Sequence, residues 1–366
     1  MKIIHLMYKD KFLDSIISFY ETWFNNGEHE ICCFSNENGF LLKADYSIKI
    51  YSFSYDELSK RRFYAFLKKY DYIVLHSAFL DVKSKLLFLA NQLLKKTIWI
   101  EWGYDLYDCN SNDKKKNISY LIDYYFKSHV STAICIFEPD IMYFKKVYHR
   151  SKSEIFYAPY TGPNIPKEFN FYSEASSLES TNKKNETVYI QIGHQATKQI
   201  NHINVLKMLS KYKDENIKIV LPLSYGDKDN AITVSKAAIE CFGTEKTIIL
   251  SEMLTKDDYF ELTKRIDIAI FDTDRQIGLA NINRFIFRNT KLFLTRGSVM
   301  YDYFLTRGVP VLAVQDIENM DFSDFKSVVK PVNKELFMSY ISTLSNYDWK
   351  LDCWMKIYKH LENKLK

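Results

Sequence analysis

Apolar and polar positions fall into two successive alternations of short hydrophobic runs with longer amphipathic ones. In the first half, Ile3 to Met7, Ile31 to Phe34, Tyr72 to His76, Thr97 to Glu101, Ala133 to Phe137 and Ile155 to Tyr157 read as strands. Between them, Phe12 to Asn25 and Asp81 to Leu94 carry helical spacing, the latter with Leu86, Leu87, Leu89, Leu93 and Leu94 as its stripe. Strand and helix in alternation predict a parallel sheet covered by helices on both faces. At Thr161 the pattern breaks with Gly162 and two prolines, and Ser173 to Thr187 is rich in Ser, Asn, Lys and Glu, the composition of a linker. The alternation restarts at Val188, with strands expected at Val188 to Ile192, Ile217 to Leu221, Thr247 to Leu250, Ile266 to Phe271, Leu292 to Leu294 and Val309 to Val314. From Asn346 onward the composition is helix-forming, with Trp349, Trp354, Ile357 and Leu361 at near-helical spacing.

The expected fold is therefore α/β with two Rossmann-like domains: an N-terminal domain at 1–160, a linker at 161–187, a second domain at 188–345 and a C-terminal helix at 346–366 that packs back on the body. Length agrees, since 366 residues exceed the usual size of one hydrophobic core.

Composition narrows the function classes. Apolar residues at 47% and charged residues at 26% describe a globular chain able to bury a core. The net charge of +5 is dispersed over Arg61-Arg62, Lys68-Lys69, Lys95-Lys96 and Lys114 to Lys116. No compact basic motif results, so nucleic acid is not an expected partner, whereas an anionic membrane surface is. The six cysteines, Cys32, Cys33, Cys109, Cys135, Cys241 and Cys353, form no C-x-x-C pair and read as reduced, packed thiols. The apolar stretch at the N-terminus ends at Tyr8-Lys9-Asp10, too early for a signal peptide, and no run approaches the ~20 apolar residues of a membrane span. Membrane contact, if any, is expected to be peripheral.

Ligands of open parallel sheets bind at the carboxyl ends of the strands, so the residues just after each strand carry the candidate chemistry. Gly193-His194-Gln195 forms a turn whose backbone amides suit a phosphate. Ser224-Tyr225 and Ser251-Glu252 end the next two strands with polar groups suited to a base or sugar, though turn chemistry explains both equally well. Arg275, Gln276 and Gly278 lie between a strand and a helix, where Arg275 suits a diphosphate or a structural salt bridge. Asp272 and Asp274 form a D-x-D, which chance also produces. In the first domain, Glu101 and Asp105 lie in an acidic and aromatic segment after a strand, and His76 ends the strand before it. Asp105 is the leading candidate for assisting an acceptor hydroxyl, with Glu101 and His76 in reserve; its structural alternative is a helix cap.

These residues resemble a known family, the dTDP-4-acetamido-4,6-dideoxygalactose transferases of glycosyltransferase family 56. The family's W-G-x-D-L-Y is similar to Trp102-Gly103-Tyr104-Asp105-Leu106-Tyr107, and its strand followed by G-N-S-G to Gly193-His194-Gln195-Ala196. Its V-V-P-M-G-Y, I-L-S-E and R-Q-Q-G-I-G resemble Ile219 to Tyr225, Ile249 to Glu252 and Arg275 to Ala280, in the same order. The resemblance implies a GT-B fold, with the two domains facing each other across a cleft, and a glycosyltransferase peripheral to the cytoplasmic face of the bacterial inner membrane. It further implies a dTDP-sugar donor and a polyprenyl-diphosphate-linked saccharide acceptor, in synthesis of enterobacterial common antigen or a similar surface polysaccharide such as O-antigen. Helix N-termini together with Arg275 can neutralise a leaving diphosphate, so neither a metal nor another cofactor is expected. Two competing readings are a nucleotide-sugar epimerase of the same architecture and a non-enzymatic basic binding protein.

Overall fold

The structure is a computed structural model and describes residues 1–10, 12–35, 46–107, 117–159 and 187–366. Residues 161–186 of the expected linker at 161–187, Cys109 and the Lys114 to Lys116 cluster lie outside the described residues. The chain divides into two compact units, Met1–Pro163 together with Asn346–Lys366, and Asn164–Ser345.

The N-terminal unit holds β1 (Ile3–Tyr8), β2 (His29–Phe34), β3 (Ile50–Phe53), β4 (Tyr72–His76), β5 (Thr97–Glu101), β6 (Thr132–Cys135) and β7 (Glu154–Tyr157). They form one parallel sheet in the order β3-β2-β1-β4-β5-β6-β7. The second unit holds β8 (Val188–Ile192), β9 (Ile217–Pro222), β10 (Thr247–Leu250), β11 (Ile268–Phe271), β12 (Lys291–Leu294) and β13 (Val311–Ala313), in the order β10-β9-β8-β11-β12-β13. Both orders reverse direction once, between β1 and β4 and between β8 and β11, which makes each sheet Rossmann-like and opens a crevice at its reversal point.

Continuous apolar runs become central strands here because helices cover both faces, so side chains pointing either way are buried. Local caps fix where helices begin: Asp81 accepts from Ser84 N, Asp227 from Asn230 N and Asn346 from Trp349 N. The helix Tyr347–Asn363 lays Trp354, Ile357, Tyr358 and Leu361 against β1, β2 and the helix Leu13–Trp23 of the N-terminal unit, and the Trp354 indole donates to the carbonyl of Pro159 at 3.0 Å.

Two details depart from the sequence pattern. β3 was not expected, because its four residues alternate weakly and lie at the sheet edge. The leucine stripe is also not what the helix Val82–Ala90 buries: Leu86 is exposed, and the inward face is Ser84, Lys85 and Phe88. Gln92, in the left-handed region at φ 57°, ends that helix, so Leu93 and Leu94 are buried from a separate turn. The described cysteines are unpaired, and among the described residues no helix is long and apolar enough to cross a membrane.

Candidate functional site

At the reversal point of the second sheet, the turn after β8 is met by the segment after β11. Gly193 leaves β8 at φ +62°, its N–H donating to the carbonyl of Ile270 at 2.8 Å, and a Cβ there would come within 2.9 Å of His202 Nε2 and of an Ile200 methyl. Gly278, at φ +71°, passes so close to the imidazole of His194 that a Cβ would fall 2.8 Å from its ring atoms. Only glycine adopts this backbone at this spacing without displacing the ring. The turn after β9 joins the same cluster: Ala196 N–H donates to Tyr225 O at 2.8 Å, and the Tyr225 and His194 rings lie 6.1 Å apart, edge on. Ser224 Oγ lies 3.2 Å from Met253 Sδ, in the segment after β10 where Ser251 and Glu252 are exposed.

Beyond β11, the two aspartates of the D-x-D separate. Asp272 is buried, its Oδ1 accepting from Thr295 Oγ at 2.8 Å and its Oδ2 from Asn204 Nδ2 at 3.0 Å, while Thr295 Oγ accepts from Thr273 N–H at 2.7 Å. Asp272 thus ties the ends of β11 and β12 to the helix His202–Leu209, whereas Asp274 is exposed. Both oxygens of Asp272 are engaged by the fold, so the two carboxylates stand in different surroundings. Among the described residues no cluster of three or more His, Cys, Asp or Glu could hold a metal ion. Arg275 is partly exposed, Gln276 is buried, and the helix Leu279–Phe287 starts at Gly278 with no side-chain cap. A helix start without a side-chain cap, three residues after Arg275, is a place that attracts an anion.

In the N-terminal unit, the three expected acceptor-side residues are built into the fold. Asp105 lies in a four-residue helix, Tyr104–Tyr107, and is buried. Its Oδ2 accepts from Ala78 N–H at 2.7 Å and from Trp99 Nε1–H at 2.6 Å, and its Oδ1 from Trp102 N–H at 2.8 Å. Rather than capping a helix at Leu106, it joins the segments that follow β4 and β5. Glu101, also buried, accepts from Gly103 N–H at 2.6 Å and Ile136 N–H at 3.0 Å, joining the segments after β5 and β6. The neighbouring Asp140 accepts from Tyr107 Oη at 2.6 Å through its Oδ1. Burial, reinforced by the neighbouring carboxylates, raises Glu101 well above the usual range and Asp140 to about 7. His76 is buried at the end of β4, where burial lowers it to about 3, and its Nε2 lies 3.0 Å from His5 Nδ1.

Several residues that shape these sites were not singled out from the sequence. Thr295 and Asn204 orient Asp272, and Asn230 Nδ2 holds the Ala196 carbonyl at 3.0 Å. No local pattern marks them, because each contact bridges elements distant in the chain. His5 did carry a signal: it is the one polar residue in the buried run Ile3 to Met7.

Solved structures match the fold over nearly the whole chain. The family model described as 4-alpha-L-fucosyltransferase, glycosyl transferase group 56, matches residues 33–352. Among solved structures, a glycosyltransferase from Rickettsia africae is similar at TM-score 0.66 and 13% identity, covering 98% of each chain. HepE of Anabaena, crystallised with UDP and glucose, is similar at TM-score 0.65 and 10% identity, covering 99% of this chain and all of that one. A sucrose-phosphate synthase of Thermosynechococcus elongatus reaches TM-score 0.68 at 8% identity with both chains fully covered. At such identities the likeness shows the fold, two Rossmann-like units of the GT-B type.

Proposed function

The chain belongs to the 4-alpha-L-fucosyltransferase family, glycosyl transferase group 56, and is a glycosyltransferase using a nucleotide-sugar donor; on that footing we propose that it moves a deoxyamino sugar from a dTDP donor to a lipid-linked saccharide. The donor sugar is 4-acetamido-4,6-dideoxygalactose or a close relative, and the product enters a surface polysaccharide of the enterobacterial common antigen or O-antigen type.

One observation carries the donor side: Gly193, His194 and Gly278 converge where the helix Leu279–Phe287 begins uncapped beside Arg275. The helix amides and the guanidinium would take the diphosphate, with charge-assisted bonds growing as negative charge collects on the leaving group. Gln195, Gln276, Ser224, Tyr225, Ser251 and Glu252 would then bound the base and sugar. A nucleoside diphosphate in the structure of HepE supports this use of the fold.

The N-terminal unit takes the acceptor, and the protein works peripherally at the cytoplasmic face of the inner membrane. Arg61, Arg62, Lys68 and Lys69 are exposed and suit an anionic surface, although Arg62 Nε also donates to Glu57 at 2.9 Å. Because Asp105 and Glu101 are engaged by backbone and indole donors, they shape the acceptor side, and His76 becomes the better candidate for the acceptor's proton.

The deciding experiment incubates the protein with a panel of nucleotide sugars, with and without a polyprenyl-diphosphate saccharide. Sugar transfer from a dTDP-deoxyamino sugar only when acceptor is present supports the reading. Conversion of the donor without acceptor would favour an epimerase instead.

A further inference from the structure

Three histidines from three adjacent strands form one hydrogen-bonded chain inside the N-terminal unit. His5 on β1 pairs with Ile31 and Val74, so His29 lies two residues before its β2 partner and His76 two residues after its β4 partner. A two-residue step keeps a side chain on the same face of a sheet, so the three imidazoles share one face and run diagonally from the amino end at His29 to the carboxyl end at His76. His5 Nδ1 lies 3.0 Å from His76 Nε2, and His5 Nε2 lies 2.9 Å from His29 Nδ1.

The geometry restricts the protons. A neutral imidazole has one donor and one acceptor nitrogen. If His5 donates from Nδ1 to His76, it must accept at Nε2 from His29, and all three rings are then Nδ1–H tautomers. If it donates from Nε2 to His29, it accepts at Nδ1 from His76, and all three are Nε2–H. A cationic His5 would break this rule, but burial holds His5 far below its ordinary range. Packing closes the surroundings: the Tyr20 ring lies 4.0 Å from His5 and 5.4 Å from His29, and Tyr358 lies 4.8 Å from His29. Tyr20 and Tyr358 are bonded to each other through their hydroxyls at 2.7 Å. The charges near the chain are at its amino end, where the terminal ammonium of Met1 pairs with Glu28 at 2.6 Å and both act on His29. His29 also lines a surface pocket of about 590 Å³ with Met1, Trp23, Glu28, Met355 and Tyr358, and with Nδ1 bonded to His5, Nε2 is the nitrogen left for the pocket.

We propose that His29, His5 and His76 are a two-state proton relay through the core of the N-terminal unit, joining the carboxyl end of its sheet to the pocket at His29. The step balances: a proton is taken up at His76 Nδ1, His76 Nε2 passes one to His5 Nδ1, His5 Nε2 passes one to His29 Nδ1, and His29 Nε2 releases one to water. Every ring changes tautomer and none stays charged. Identifying the incoming proton as that of the acceptor hydroxyl rests on the N-terminal unit being the acceptor side.

Nitrogen-15 NMR of the full chain labelled at histidine tests the relay without donor or acceptor. One shared tautomer for His5, His29 and His76 at neutral pH is expected, and mixed tautomers or a charged His5 would overturn it. Turnover supplies the second arm. His29→Ala is expected to cut turnover about 100-fold, the lower range for lost proton transfer, with donor affinity unchanged. Added imidazole restores the rate by filling the vacated place, whereas N-methylimidazole, which fits but cannot pass a proton, does not. Equal rescue by both compounds means that His29 only packs, and overturns the relay. His29→Gln fills the space and should show the same loss if the alanine variant folds poorly; wild-type turnover in His29→Gln also overturns it. If the unsubstituted protein transfers no sugar from any donor, the transferase reading fails and the NMR arm still decides the relay.

Discussion

The indole N–H of Trp99 donates to Asp105 Oδ2 across 2.6 Å, and both residues are buried. With Ala78 and Trp102 also donating, Asp105 needs two accepting oxygens. Asn at this position has only one, so its NH₂ group would face a donor. Asp105→Asn is expected to lose about 1–3 kcal/mol of stability, the cost of a buried donor left unmatched. Denaturant melts check this; a variant of normal stability with collapsed turnover would instead assign Asp105 to the chemistry.

Gly278→Ala places a Cβ 2.8 Å from the His194 ring at φ +71°. A left-handed alanine costs roughly 1–2 kcal/mol, and displacing His194 is expected to weaken nucleotide binding further. Adding His194→Ala should recover the steric part and leave the backbone part, so calorimetry on the double-mutant cycle should be clearly non-additive. Strict additivity would mean that the two positions do not touch.

Arg275→Ala is expected to weaken dTDP binding roughly ten- to hundredfold, as the loss of one charge-assisted bond of ~1.5–3 kcal/mol. Titration calorimetry reads it directly, and unchanged affinity in the folded variant would remove Arg275 from the site.

Glu101 and Asp140 predict a pH dependence of stability. Asp140 is raised from 3.8 to about 7 when folded, so between about pH 4 and pH 7 the native chain holds a proton that the unfolded chain releases. The pair's stabilisation is complete below the unfolded value and is lost as pH rises through about 7. The slope for one proton is at most ~1.4 kcal/mol per pH unit. Asp140→Asn, a fixed mimic of the protonated partner, should flatten it. An unchanged slope in melts from pH 4 to 8 would show that other groups control the dependence.

Chelator is expected to leave turnover intact, because Asp272 is held by Thr295 and Asn204 while Arg275 and the uncapped helix supply positive charge. Activity lost with chelator and restored by magnesium or manganese would reverse this expectation.

What the sequence determined by itself was the order and type of most elements. β4, β5, β8 and β10 begin and end where the predicted runs do, because strands covered by helices are largely apolar along their length. The turns at Gly193 and Gly278 were legible for a similar reason, since glycine after a strand marks backbone that other residues resist. Roles of single side chains were not legible. Asp105 reads as a base candidate from its place after a strand, and no local pattern shows that Ala78, after β4, and Trp99, in β5, also donate to it. His29 and His76 lie 24 and 71 positions from His5, and only strand register brings their nitrogens to bonding distance. Periodicity is local and survives in the sequence; whether a buried carboxylate or imidazole is a reagent or a tie depends on which distant donors fold against it.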